Sequence, residues 1–343
     1  MKAMVLKEYH QLVYQDVPEP TTGPDDVLIE VKACGVCGSD VHGMDGSTGR
    51  RIPPIIMGHE AAGIIVQVGS NVKEVRPGER VTFDSTVYCG SCFYCLRGAI
   101  NLCDHRRVLG VSCDEYRHNG AFAEYVAVPQ HILYRLPQDV SFEHAAMVEP
   151  CSIAFHAVSR TPTSLNDTAV VVGVGMIGLL VVQTLRAVGC GKIIAIDVEP
   201  DKLDLSRQLG ADITLNSLEA ETGSEIQKLT DNRGADIVIE AVGVSQSVKT
   251  ALASVRKGGA VTVIGNLSPH VELPLQRLVA REITLYGSCA SRGDYPACLD
   301  MMARGAIKVD PLISAVAPLC EGANWFRRLY QKEKGLLKVI LVP

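Results

Sequence analysis

Short apolar runs broken by Gly and Pro dominate the first 150 residues. Val27–Lys32 alternates, Ala62–Val68 is dense in β-forming side chains, and Arg80–Phe83 follows a Pro77-Gly78 turn. This pattern predicts an irregular, mostly β domain with long loops. Near residue 150 the character changes. Continuous apolar runs at Ala169–Val172, Ile193–Ile196, Ile213–Leu215, Ile237–Ile239, Val261–Ile264 and Ile283–Leu285 alternate with helical stretches such as Leu179 to Val188. Strands that are apolar on both faces indicate a parallel sheet covered by helices, here an α/β doubly wound nucleotide-binding domain. A further strand, Leu337–Val342, closes the chain. The predicted organisation is a β-rich domain over 1–150 and a doubly wound domain over 151–289.

Composition narrows the function classes. A content of 47% hydrophobic and 21% charged residues in 343 describes a globular chain with ample core. A net charge of −5 supplies no basic footprint for nucleic acid or anionic membrane. No apolar run approaches the roughly 20 residues of a membrane span. The N-terminal Met-Lys-Ala-Met-Val-Leu-Lys-Glu lacks an apolar core with a cleavage site, so a cytoplasmic location is expected. In that reducing setting, twelve cysteines fit metal binding better than disulfides.

Four of those cysteines stand out. Cys89-Gly-Ser-Cys92-Phe-Tyr-Cys95 is followed, after seven intervening residues, by Cys103. Thiols at two-residue gaps converge when the backbone turns tightly, as Gly90 and Ser91 allow, and four thiolates in a tetrahedron suit Zn²⁺. The simpler reading, a cluster of small buried hydrophobes, does not account for the spacing.

The run Ala169–Val172 leads into Gly173-Val-Gly175-Met-Ile-Gly178 and then a helical stretch. In this pattern the first glycine permits the turn, the second lets backbone N–H groups approach a pyrophosphate, and the third allows helix and strand to pack closely. The helix N-terminus favours the phosphate charge. Asp197 ends the next strand, where a carboxylate accepts ribose hydroxyls and repels a 2′-phosphate, which favours NAD over NADP. Lys202 is the nearby cation that would offset that repulsion. Asp197 could instead be a turn acid in Asp-Val-Glu-Pro.

A second candidate centre lies in Cys34-Gly-Val-Cys37-Gly-Ser39-Asp40-Val-His42 and in Gly58-His59-Glu60. One thiolate, one imidazole and one carboxylate leave a position open for water or substrate, as a catalytic zinc requires. Spacing alone does not decide between Cys34 and Cys37.

The sequence resembles the zinc-dependent medium-chain dehydrogenases/reductases over essentially its whole length. The family signature Gly-His-Glu-x₂-Gly-x₅-Gly is matched by Gly58-His59-Glu60-Ala-Ala-Gly63 and Gly69. The resemblance implies a GroES-like catalytic domain completed by the tail 290–343, a Rossmann NAD-binding domain, and an active site in the cleft between them. It makes Cys37 and His59 catalytic zinc ligands, with Glu60 and Glu149 as the carboxylates that complete the sphere and Cys34 as a packed neighbour. The cluster Cys89, Cys92, Cys95 and Cys103 matches the structural zinc lobe, so two zinc ions per chain are expected. Ser39 is placed to take the hydroxyl proton of an alcohol, with His42 as an outer relay. Ile177, Val242, Gly243, Ile264, Gly265, Asn266 and Cys289 are the further expected cofactor contacts. A homotetramer is implied, with a dimer as the alternative.

Within the family, Cys-Gly-Ser-Asp-Val-His and Glu-Pro-Cys-Ser-Ile-Ala-Phe-His-Ala are similar to polyol dehydrogenases of the sorbitol and galactitol-phosphate type; L-threonine dehydrogenases are close relatives. The sorbitol enzymes carry an aromatic residue where this chain has Gly43, and an Arg-Tyr pair where it has Ala290-Ser291. The expected substrate is therefore a small secondary alcohol of the polyol class, with Arg50 or Arg51 as a candidate for a sugar phosphate. Two other classes remain to be separated: a non-enzymatic zinc-binding module, and a zinc-free quinone-reductase-like member, which would lack the Cys37/His59 pair.

Overall fold

The computed structural model describes residues 1–219 and 221–343. Two compact units emerge. The first gathers residues 1–149, 295–304 and 309–343; the second holds 150–294 with 305–308.

The first unit is built on a seven-stranded sheet. Its central strand, Asp26–Gly35, pairs antiparallel with Glu60–Val68, Tyr125–Pro129 and Lys338–Val342. The run expected at Val27–Lys32 is thus longer than its alternation showed. Beyond Lys32 the strand is buried on both faces, with Ala33 and Cys34 at 0% and 1% exposure, so the period-2 signal disappears. Ile29, Ile65, Val81, Phe83, Phe122, Val339 and Leu341 fill the core beneath this sheet. Register places Gly35 opposite Glu60. A side chain at Gly35 would bring its Cβ within 2.3 Å of Glu60 Oε2, so glycine is what admits the carboxylate there.

The second unit is a six-stranded sheet, parallel at every pairing. Its order runs Ile213–Asn216, Lys192–Asp197, Thr168–Val172, Ala235–Glu240, Val255–Val263 and Thr284–Gly287. In units of its own strand sequence this is 3-2-1-4-5-6, the doubly wound Rossmann order. Val170, Ile194, Val238 and Val261 are fully buried along its length. All six apolar runs in the sequence became strands of this sheet.

Of the tail 290–343 expected in the first domain, residues 290–294 and the short segment 305–308 fall in the second unit. The Gln183 side chain accepts from Lys308 N (2.7 Å) and donates to Lys308 O (3.1 Å), which ties this short segment to the second unit. Among the described residues, no helix is long and apolar enough to cross a membrane.

Candidate active site and metal centres

Cys37 caps the N-terminus of helix Gly38–Gly43. Its sulfur accepts from Ser39 N at 3.4 Å and from Ser39 Oγ at 3.3 Å, bonds that fix its direction. His59 precedes the strand that opens at Glu60, and both are buried. Ligand atoms of Cys37, His59 and Glu60 all lie within 4.8 Å of one another. Cys34, fully buried, stands outside this group, and burial pushes its thiol well above the usual range. Tertiary placement thus separates two cysteines that spacing left equivalent.

A row of charged groups supports the trio. Asp40 is fully buried, and its Oδ1 accepts from Arg51 Nε at 3.1 Å and Nη2 at 2.9 Å. Its Oδ2 lies 3.3 Å from His59 Nδ1. A carboxylate behind a ligating imidazole fixes ring orientation and tautomer, which leaves Nε2 for a metal. Burial opposes the charge on Asp40, yet His59 and Arg51 overcome it and hold the carboxyl at about 2. Burial likewise opposes a proton on His59, but Asp40 and Cys37 outweigh it and raise the imidazole well above its usual range. A metal ion at Nε2 competes there with a proton.

Glu60 is held by Lys338, whose Nζ donates to Oε1 (2.9 Å), Oε2 (2.6 Å) and the Val36 carbonyl (3.1 Å). All three ammonium protons are thereby used. Lys338 escaped the sequence reading, although a lysine inside the run Lys338-Val-Ile-Leu-Val is itself a signal, because a buried ammonium needs a partner. Glu149, in the first turn of helix Val148–Arg160, lies outside the 4.8 Å group. Desolvation, with the nearby Glu60 charge, pushes its carboxyl up to about 8 against the pull of His59 and Lys338. A bound dication would reverse that balance.

Ser39 and His42 are exposed on the same short helix, three residues apart and so on neighbouring positions of its surface. The phosphate reading of Arg51 is corrected by the structure. Its side chain is 4% exposed and spends its fork on Asp40, on the Arg50 carbonyl and on Ser39 Oγ. Arg50 stays on the surface.

The second cysteine group is equally compact, with Cys89, Cys92, Cys95 and Cys103 sulfurs within 4.8 Å of one another. A tetrahedral site with Zn–S bonds of about 2.3 Å needs sulfurs about 3.8 Å apart, so the set fits zinc. Gly90, at φ +75°, makes the turn between the first two. Backbone N–H groups of Ser91 and Cys92 lower the Cys89 thiol to about 6, while desolvation and the neighbouring sulfurs push Cys95 up to about 12. Four thiols that share protons in this way ionise together readily only around a cation.

At the second unit's sheet, Gly173 turns the chain at φ +87°, and a Cβ there would meet Val242 Cγ2 at 2.2 Å. Gly178 packs against Gly173 O, where a Cβ would stand at 1.9 Å, whereas Gly175 faces open space at the N-terminus of helix Met176–Ala187. That open face and its unpaired helix-start N–H groups fit a pyrophosphate, with Ile177 in the first turn. Asp197 is more occupied than a simple ribose acceptor. Its Oδ2 accepts from Val174 N (2.8 Å), and its Oδ1 from Val198 N (2.8 Å) and Glu199 N (3.0 Å). The acid thus also holds the glycine loop, combining the turn role with the expected place at the strand end. Lys202 pairs with Glu199 at 2.6 Å rather than standing free beside Asp197.

Val242, Gly243, Ile264, Gly265 and Asn266 do meet at adjoining strand ends, but four of their N–H groups serve Glu240. Its Oε1 accepts from Val242 and Gly243, and its carbonyl from Ile264 and Gly265. Gly243 and Gly265 are pressed together, with a Cβ on Gly265 reaching within 2.1 Å of Gly243 N. These residues therefore shape the loop and offer a cofactor little direct hydrogen bonding from those donors. Glu240, fully buried at the end of an apolar strand, is a second acid the sequence reading passed over. Cys289 is exposed just beyond strand Thr284–Gly287.

Comparison with known proteins identifies the family. A family model for the alcohol dehydrogenase GroES-like domain matches residues 23–138, and one for zinc-binding dehydrogenases matches residues 176–304. The chain is 34% identical to a sorbitol dehydrogenase of Bacillus subtilis (strain 168), across 100% of this chain and 97% of the relative. It is 34% identical to a D-arabitol-phosphate dehydrogenase of Enterococcus avium, across 94% and 92% of the two chains. Among solved structures, a candidate zinc-binding dehydrogenase of Sinorhizobium meliloti bound to NADP superposes with a TM-score of 0.91 at 32% identity, across 100% and 99% of the chains.

Proposed function

This chain belongs to the zinc-binding alcohol dehydrogenase family with a GroES-like domain, and we propose that it oxidises a polyol or polyol phosphate to the ketone, with NAD as hydride acceptor. The observation that carries this reading is the Cys37–His59–Glu60 group with Asp40 behind the imidazole. One thiolate, one imidazole and one carboxylate suit a zinc with an open position. Zinc held there would act as a Lewis acid that lowers the pKa of the substrate hydroxyl.

The chain's own groups perform the remaining tasks. Asp40 keeps His59 in one tautomer, and Lys338 holds Glu60 in place. We assign the third ligand position to Glu60, because it lies within the group and Glu149 does not. Ser39 Oγ receives the hydroxyl proton and passes its own on, with His42 as the outer acceptor towards solvent. The alcohol carbon gives up its C–H pair as hydride and becomes the carbonyl. The Gly173–Gly178 loop receives the pyrophosphate, and the Asp197 charge opposes a 2′-phosphate and so favours NAD. The four cysteines form a closed zinc shell with no substrate position.

We also assign the protein to the cytoplasm as a homo-oligomer, a tetramer or a dimer. The oligomer is supported by the edge strand Thr284–Gly287, where Leu285 is 40% exposed, and by helix Leu275–Ala280, where Leu275 and Val279 are 60% and 64% exposed. Light scattering at micromolar concentration checks it.

The decisive test of substrate class is a screen of C2–C6 polyols, their 1-phosphates and L-threonine, with NAD and NADP in parallel. NADH formed from a polyol or its phosphate is the expected result. Turnover of threonine alone would replace the substrate, and a chain without turnover holding only one zinc would make it a binding module.

A further inference from the structure

Arg51 is the least expected member of the site. The sequence made it a candidate for a sugar phosphate, yet it is buried, with both backbone and head group anchored. Ile52 N donates to Ser112 O at 3.0 Å and Ser112 N to Arg50 O at 3.2 Å, which fixes the main chain around it. From there the side chain passes over Gly43. A Cβ built on Gly43 would lie 2.2 Å from Arg51 Cγ and 3.1 Å from its Cβ. The arginine therefore reaches its partners only because position 43 carries no side chain.

We propose that Arg51 is a positioning residue of the catalytic zinc site, and that Gly43 is the residue that admits it. The proposal rests on the zinc-site reading of Cys37 and His59. Arg51 gives two N–H groups to Asp40 Oδ1, and the carboxylate can then turn only Oδ2 to His59 Nδ1. The same Nη2 lies 3.3 Å from Ser39 Oγ. Guanidinium is a donor only, so Ser39 must accept from it, and the serine keeps its own proton to donate. In this structure that proton goes to Cys37 Sγ at 3.3 Å. One planar fork thus sets the imidazole ligand and the relay hydroxyl together. Lysine, a single point of charge, reproduces the sign but not the two directions.

The test compares wild type, Arg51→Met, Arg51→Lys, Gly43→Ala and the Gly43→Ala/Arg51→Met double variant as full-length protein. Gly43 lies outside the left-handed region, so alanine there tests space rather than backbone strain. Zinc-loaded protein is challenged with a chelator and release is timed. Cobalt-substituted protein supplies the ligand-field spectrum of the site, and the Cys89–Cys103 cobalt bands serve as an internal check of folding. Arg51→Met should release the catalytic metal about 10- to 100-fold faster, the usual effect of losing an outer partner of a ligand. Gly43→Ala should shift the cobalt spectrum in the same way and add nothing in the double variant. Arg51→Lys should recover only part of the loss.

Release within about twofold of wild type in Arg51→Met would overturn the proposal, as would multiplicative effects of the two substitutions. If Arg51→Met does not fold, Gly43→Ala and Arg51→Lys decide by the same criteria. A wild-type chain holding one zinc only would overturn the zinc-site reading itself, and this proposal with it.

Discussion

Replacing Lys338 by methionine isolates the electrostatic design of the zinc site. Lys338 and Glu60 are 3% and 1% exposed, and Nζ gives Glu60 two bonds, at 2.6 and 2.9 Å. Burial pulls the lysine pKa down, yet Glu60 outweighs it and raises the ammonium above its ordinary value, so Lys338 keeps its charge at neutral pH. Removing one partner of such a pair costs about 3–5 kcal/mol, because the other charge is left buried and alone. Methionine fills similar volume, so the loss is electrostatic rather than a cavity, with the Val36 carbonyl also losing its donor. The chain's single tryptophan, Trp325, packs against the core of the same unit and reports on it by fluorescence. With a urea slope of about 3 kcal/mol per M, the midpoint of metal-free protein should fall by about 1–2 M. Zinc-loaded protein should lose clearly less, because a dication beside Glu60 supplies the missing charge. A metal-free shift below about 0.3 M, or the same shift with and without zinc, would refute this reasoning.

Glu60→Gln should lower bound zinc by one equivalent, while Glu149→Gln should retain it, as counted by elemental analysis; the reverse pattern would make Glu149 the ligand. Asp197→Ala should weaken NAD more than NADP and also loosen the glycine loop it holds, read as a rise in the NAD KM relative to the NADP KM and faster amide exchange at Val174. Asp236 is largely buried, and Thr168 N, Arg256 and Arg233 lower its carboxyl despite the desolvation that opposes them. A carboxylate depressed by folding stabilises above its unfolded pKa of about 4 and loses that contribution as pH falls through the folded value. Asp236→Asn should therefore be destabilised relative to wild type at pH 7, with the gap closing below about pH 4 in thermal melts.

The doubly wound unit was legible because its strands are apolar on both faces and its glycines fall at a strand–helix turn. The cysteine lobe was legible for a similar local reason, since its first three sulfurs lie within seven residues. What the sequence hid is non-local. Lys338 meets Glu60 across 278 residues, and only the antiparallel pairing of the terminal strand with the central strand creates that contact. The burial of Arg51 was hidden because the space it occupies is made by the absence of a side chain eight positions earlier. Asp197 was placed at its strand end, but its three backbone bonds needed the folded loop to be seen. Val242 and Gly265 were chosen as strand-end contacts without the buried acid, Glu240, that engages their backbone.

Chemistry at Cys37 and His59, with the four clustered cysteines holding structure only, is open to a direct test. Counting zinc per chain and the rate of NADH formation from a polyol, in the same samples of wild type and Cys37→Ser, tests this directly. Wild type should hold two zinc ions and turn over, and the variant should hold one zinc, keep a native fold and show no turnover. Full turnover in Cys37→Ser, or an active wild type with one zinc that the variant also keeps, would contradict that assignment.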